Sequence, residues 1–197
     1  MALRATILVA TLKKSGPSNT EVLCDFLAER MSRKGFECET VKLVEYRVLA
    51  GTYFDMDGDD EWPIILEKLL QSDVIIFATP IWWGSHSSEI QRVIERLDEI
   101  HDEILEGKPS RLAGKVGGIV ITGDSDGAQH IIANFANFFN AVGLLLPPFA
   151  TLSVLSEKQR KGATPSREEL LSFYEKDYAK TADKMIDQLI TMHAHAR

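Results

Sequence analysis

The chain has 197 residues, 45% of them hydrophobic, and a formal net charge of −7; this predicts one domain over 1–197, burying about 70% of its unfolded surface without disulfide or metal staples. The acidic balance, with no Lys/Arg stripe interleaved with aromatics, argues against a nucleic-acid partner; residues 1–12 make no secretory signal and no apolar run spans a membrane. Cys24 and Cys38 have neither metal-ligand spacing nor a CxxC pattern, which predicts reduced thiols and a cytoplasmic protein.

Arg4 to Ala10 is a nearly unbroken apolar run and reads as a central first strand. Ser18-Asn-Thr-Glu21 has the form of a capping box, and Val22, Phe26, Leu23, Leu27 and Met31 carry helical spacing to about Lys34, with Gly35 as the stop. Glu37 to Leu43 alternates as an outer strand does. Residues 44–61 read as a loop. Asp55, Asp57 and Asp59 have EF-hand spacing, but Asp60 stands where a glycine is required and Leu66 where a glutamate is. The better reading has Asp59 or Asp60 capping the next helix and Pro63 in its first turn.

Val74 to Thr79 is a second buried run, which ends in Pro80-Ile-Trp-Trp-Gly84. Such a run without polar alternation suits a strand covered by helices on both faces. Ser85, Ser87 or Ser88 is then expected to cap a helix to Leu105 with Ile90, Val93, Leu97, Ile100 and Ile104 on one face. Gly114 to Thr122 gives another strand, Gly123-Asp-Ser-Asp-Gly127 its turn, and Ile131, Phe135, Phe139 and Val142 a helix. Leu144 to Leu146 is expected as a last short strand stopped by Pro147, and Leu170 to Leu189 as a long helix. This order predicts an α/β fold, a doubly wound parallel five-stranded sheet of order 2-1-3-4-5.

In that order the loops after strands one, three and four meet at the switch point, outside the carboxyl ends of the strands. The first has no dinucleotide or Walker fingerprint. It brings Thr11, Ser15, Ser18, Asn19 and Thr20 to a helix N-terminus, where free N–H groups and the dipole favour a phosphate, with Lys13 or Lys14 nearby. Trp82 and Trp83 leave a strand together. One of them reads simply as a core aromatic, but adjacent residues point different ways, so both do not.

Thr11 to Thr20, Thr79-Pro-Ile-Trp-Trp-Gly84 and Thr122-Gly-Asp-Ser-Asp-Gly-Ala128 resemble, in order, the three flavin loops of the flavodoxin-like NAD(P)H-dependent FMN reductases. The resemblance covers about residues 4–147. It implies FMN with its phosphate on Thr11, Lys13, Ser18, Asn19 and Thr20, and its ring against Pro80, Ile81, Trp82, Trp83, Gly84, Thr122, Gly123, Asp124, Asp126 and Gly127. It implies a homodimer that takes hydride from NAD(P)H and reduces a small acceptor, with no catalytic side chain of its own. The first loop departs from the family's usual Gly-Ser-x-Arg opening. The third contains no aromatic, which leaves one ring face open to a nicotinamide, whereas flavodoxin-type electron carriers, the alternative class, commonly enclose the ring.

A second rival is a hydrolase, because Gly123-Asp-Ser-Asp-Gly127 also matches a G-x-S-x-G elbow with Ser125 as nucleophile. The acid and histidine it needs on later loops are missing. His193 and His195 sit near the end of a helix and read as exposed residues.

Overall fold

Strands β1 (Leu3–Val9), β2 (Phe36–Lys42), β3 (Val74–Pro80), β4 (Val116–Gly123) and β5 (Thr151–Leu155) form one sheet in a computed structural model that describes residues 2–160 and 162–196. All neighbouring pairs are parallel, in the order β2-β1-β3-β4-β5. Ile7, Ile76 and Val120 pack beneath α1 (Asn19–Arg33) and α6 (Arg167–Ala196). Leu8, Phe77 and Ile119, one step along each strand, face α2 (Trp62–Gln71), α3 (Ser88–Arg96), α4 (Asp98–Leu105) and α5 (Ala128–Val142). Burial on both faces explains why β1, β3 and β4 read as continuous apolar runs and why β2, at the edge, alternates.

Local signals set the helix boundaries. The Ser18 hydroxyl accepts the Glu21 N–H, and the Gly35 N–H bonds the Ser32 carbonyl at φ 89°. Pro63 stands in the first turn of α2.

Three elements of the fold differ from the sequence reading. The fifth strand is Thr151–Leu155, whereas Leu145 of the expected 144–146 strand makes only a single bridge to Val116. As an edge strand β5 buries alternate residues, Leu152 and Val154, so it lacks the run that marks β1. The helix expected to Leu105 breaks at Leu97, whose N–H is shared among the Val93, Ile94 and Glu95 carbonyls. The apolar spacing continues across the break, so periodicity did not reveal it. Finally, His193 is buried, 8% exposed, with Nε2 3.8 Å from Asp73 Oδ1. The last turns of α6 dock on the amino end of the sheet instead of fraying.

Segment 46–61 is organised around a buried ion pair. Arg96 and Asp60 side chains are both 0% exposed, and Arg96 Nη2 lies 2.6 Å from Asp60 Oδ2 as an ion pair. Asp60 also accepts the N–H groups of Leu49, Met56 and Trp62, while Arg96 donates to the Leu49 and Tyr53 carbonyls. Asp60, not Asp59, therefore holds the start of α2. Burial alone pushes the Asp60 pKa up, but Arg96 and these three amides outweigh it and hold it below its usual value. Asp59 pairs with Arg47 and Asp55 accepts the Asp57 N–H.

Candidate functional site

Parallel strands all deliver their following loops to the same edge, so the segments after β1, β3, β4 and β5 converge at the switch point between β1 and β3. They line a cleft of about 390 Å³. A larger groove of about 580 Å³ runs along α6 past Lys158, Phe173 and Lys176, but no side chain lining it is buried. The first cleft combines its volume with the buried hydroxyls of Thr11, Ser18, Thr20 and Thr122.

The loop after β1 contributes Thr11, Leu12, Lys13, Ser18, Asn19 and Thr20. Thr11, Ser18 and Thr20 are buried, and their hydroxyls are already ordered: Ser18 Oγ donates to Thr11 Oγ1 at 2.8 Å, and Thr20 Oγ1 shares a 2.7 Å bond with Thr122 Oγ1 on β4. Buried hydroxyls without partners are costly, so this network fixes the loop before any ligand arrives. Behind it stand the first N–H groups of α1. Ser18 takes that of Glu21, and those of Asn19 and Thr20 have no acceptor among the described residues. Lys13 is exposed and donates to the Pro17 carbonyl at 2.8 Å, while Ser15 lies outside the cleft lining.

The loop after β3 contributes Pro80, Ile81, Trp82 and Trp83. Thr79 and Ser87 secure it, since Thr79 Oγ1 accepts the Ser87 N–H at 3.0 Å and Ser87 Oγ donates to the Ala10 carbonyl at 2.7 Å. Ser87 thus ties two loops together instead of capping α3 with its side chain. Between them Trp82 and Ser85 exchange two backbone bonds, of 2.8 and 2.9 Å, around Trp83 (φ 51°) and Gly84 (φ 74°). Two positive φ angles at the centre of a tight turn mark the type I′ geometry. Glycine accepts it freely; for a tryptophan such backbone costs on the order of 1–3 kcal/mol. The two indoles part across this turn, and neither is the core aromatic expected of one of them, Trp82 being 38% exposed and Trp83 101%.

The loop after β4 contributes Thr122, Gly123, Asp124 and Ser125. Both backbone groups of Gly123 are committed, its N–H to Gln159 Oε1 at 2.8 Å and its carbonyl to the Ser156 N–H at 2.9 Å. A β-carbon on Gly127 would fall 2.7 Å from the Gly84 α-carbon, so only a glycine lets the two loops close on each other. Gly84, Asp126 and Gly127 shape the loops but lie outside the cleft lining. Ser125 is exposed, and no histidine hydrogen-bonds it among the described residues.

Gln159, Arg160, Gly162 and Ala163 form a wall that sequence reasoning missed. Gln159 is buried. Besides accepting from Gly123, it donates to Tyr174 Oη at 2.9 Å; Tyr174 donates to the Asn19 carbonyl at 3.3 Å, and Asn19 Nδ2 donates to the Gln159 carbonyl at 3.4 Å. Burial raises the Tyr174 pKa well above its usual value, so its hydroxyl keeps its proton. The available signal was the alternation of Thr151 to Leu155 followed by Ser156, whose hydroxyl accepts the Lys158 N–H.

A family model described as NADPH-dependent FMN reductase matches residues 3–157. The chain is 31% identical over 160 residues to the 8-demethyl-8-aminoriboflavin-5'-phosphate synthase of Streptomyces davaonensis, covering 76% of this chain and 62% of that protein. It is 32% identical over 160 residues to a Mycobacterium bovis protein named divalent metal cation transporter MntH, covering 79% of this chain but 23% of that one. It therefore spans less than two thirds of either relative. A crystal structure of RosB with bound 8-demethyl-8-formylriboflavin-5'-phosphate superposes with a TM-score of 0.80 at 25% identity, covering 98% of this chain and 80% of that one.

Proposed function

The chain belongs to the NADPH-dependent FMN reductase family, and from that premise we propose that it is an FMN-dependent oxidoreductase drawing hydride from NAD(P)H. The electrons pass to a small acceptor such as a flavin or quinone. When bound, FMN would supply the redox chemistry, accepting hydride and releasing electrons, so the chain's own residues need only bind, orient and shield.

The observation that carries this reading is the single cleft in which an ordered hydroxyl cluster at a helix start faces an indole and two further loops. This donor set fits FMN. Thr11, Ser18, Asn19 and Thr20, with the unpaired N–H groups of α1, offer a phosphate several charge-assisted bonds, and Lys13 and Arg160 add positive charge at the rim. Pro80, Ile81 and Trp82 offer an apolar wall to a flat ring. Thr122, Gly123 and Asp124 face it from β4. No aromatic stands in the loop after β4, which keeps one side clear for a nicotinamide at about 3–3.5 Å, the distance hydride transfer needs. That open side favours an enzyme over an electron carrier.

The test is the absorption spectrum of the protein purified with FMN, followed by anaerobic mixing with NADPH and with NADH. Flavin bands that bleach rapidly with one nucleotide are expected. Failure to take up flavin sinks the reading; slow bleaching with both nucleotides moves the protein to the carrier class. A second reading treats a flavin phosphate as substrate, favoured by the relative named as an aminoriboflavin-phosphate synthase. Mass spectrometry of the flavin recovered after turnover separates the two, since a cofactor returns unaltered.

A homodimer in a reducing, cytoplasmic compartment belongs to the same proposal. Free Cys24 and Cys38 suit it, and no helix among the described residues is long and apolar enough to cross a membrane. Light scattering tests the dimer.

A further inference from the structure

Trp83 presents a conflict that the flavin site does not resolve. The residue is 101% exposed, so it adds nothing to the core, yet it belongs to the lining of the cleft. Its backbone is held at φ 51°, where asparagine or glycine is at ease and a bulky side chain is strained. The turn is also rigid: Trp82 and Ser85 bond each other twice across it, and Gly84 is wedged against Gly127. A strained, rigidly mounted and uncovered indole at a cleft mouth is of no use to folding. Its neighbour Trp82 is the better wall for the flavin, being more than half covered.

We propose that Trp83 is the stacking platform for the second ligand of this cleft, a planar conjugated ring system. The two chemical sources are the nucleotide's ring systems and a flat acceptor of quinone type. Both present a π-face that an indole can cover, and stacking needs no hydrogen-bond pattern, which suits an exposed residue in the cleft lining. Leu12, 43% exposed in the same lining, extends the apolar rim across the mouth. The inference rests on the oxidoreductase reading above and names what its open side receives.

The FMN-loaded protein is compared with Trp83→Ala, Trp83→Phe and Trp83→Asn in two arms, NADPH varied against ferricyanide and a planar quinone varied against saturating NADPH. In one arm Trp83→Ala should raise KM about 5–30-fold, with most of the loss in kcat/KM carried by KM and with Trp83→Phe recovering most of it. The arm that responds identifies the source. Titration with the unreactive oxidised nucleotide, or with the quinone, should quench wild-type tryptophan fluorescence and lose that signal in Trp83→Ala. Trp83→Asn should raise the thermal midpoint by a few degrees, since asparagine tolerates positive φ; a structural tryptophan would lower it.

Unchanged KM in both arms, with FMN bound and turnover intact, overturns this inference alone. A Trp83→Ala protein that halves its mass by light scattering overturns it too, assigning the indole to a second copy. Wild-type protein that takes up no flavin sinks both readings together.

Discussion

Two polar loops lie on the carboxyl side of the sheet and differ in what they do with their polar groups. Segment 46–61 is the more heavily charged, but it uses that charge on itself: Asp60 satisfies three backbone N–H groups and Arg96, and Arg96 satisfies two carbonyls in return. The loop from Thr11 to Thr20 bears smaller polar groups, which align one another while the N–H groups of Asn19 and Thr20 remain without acceptors. In the first segment the side chains direct their polarity to the segment's own backbone; in the second, backbone donors are left over at a helix start, as a phosphate site would require. Density of charge, which drew attention to Asp55 to Glu61 in the sequence, does not distinguish the two.

The strongest way to break this comparison is Arg96→Ala. Leaving Asp60 buried without its cation should destabilise the protein by about 3–5 kcal/mol in urea denaturation, while FMN affinity of the remaining folded protein stays within about twofold of wild type by the linkage convention of a factor of ten per 1.4 kcal/mol. A collapse of flavin binding at unchanged stability would reverse the roles of the two loops.

Ser18→Ala combined with Thr20→Ala sharpens the other side. Loss of two charge-assisted bonds should weaken FMN by about 2–4 kcal/mol and riboflavin far less. Equal losses for the two ligands in a fluorescence titration would show that this loop does not hold a phosphate. The structure adds that part of any loss in stability comes from the Thr20–Thr122 bond, so unfolding must be measured beside binding.

Next in size is a pH effect. The folded pKa of Asp60 is lowered, so its contribution is present above the unfolded value of about 3.9 and fades as pH falls below it. Stability of the wild type should therefore fall more steeply from about pH 4 downward than that of Asp60→Asn, a less stable protein with a flatter profile. Parallel profiles would mean that Asp60 is not held charged. Smallest is Ser125→Ala, an exposed change expected to move stability by no more than about 0.5 kcal/mol. The wild type should hydrolyse simple esters no faster than background, and a serine-dependent esterase lost on this change would reinstate the hydrolase reading.

The elements legible in the sequence are those buried on both faces or marked by local chemistry. Val74 to Ala78 and Ser18 announce themselves because burial and capping act on neighbouring residues. β5 did not, because an edge strand of five residues between Pro148 and Ser156 has a pattern too short to outweigh two prolines. Gln159 and Arg160 were lost with it, since their place in the cleft depends on which strand precedes them. The buried state of His193 was likewise hidden, as it arises where α6 meets Asp73, far away in sequence. Divergence of Trp82 and Trp83 was legible from their adjacency, but the turn that leaves both out of the core was not.

The hydrogen-bonded path from Gly123 through Gln159 and Tyr174 to Asn19 has a consequence for biosynthesis. Tyr174 lies on α6, which leaves the ribosome after every strand of the sheet. Until it does, Gln159 lacks one partner and the seam of α6, from Leu170 to Leu189, leaves Val120 and Val154 open to water. The nascent chain thus has its Thr11–Thr20 loop and its indoles well before it has a cleft, and capture of the proposed flavin during translation would wait for α6 to dock.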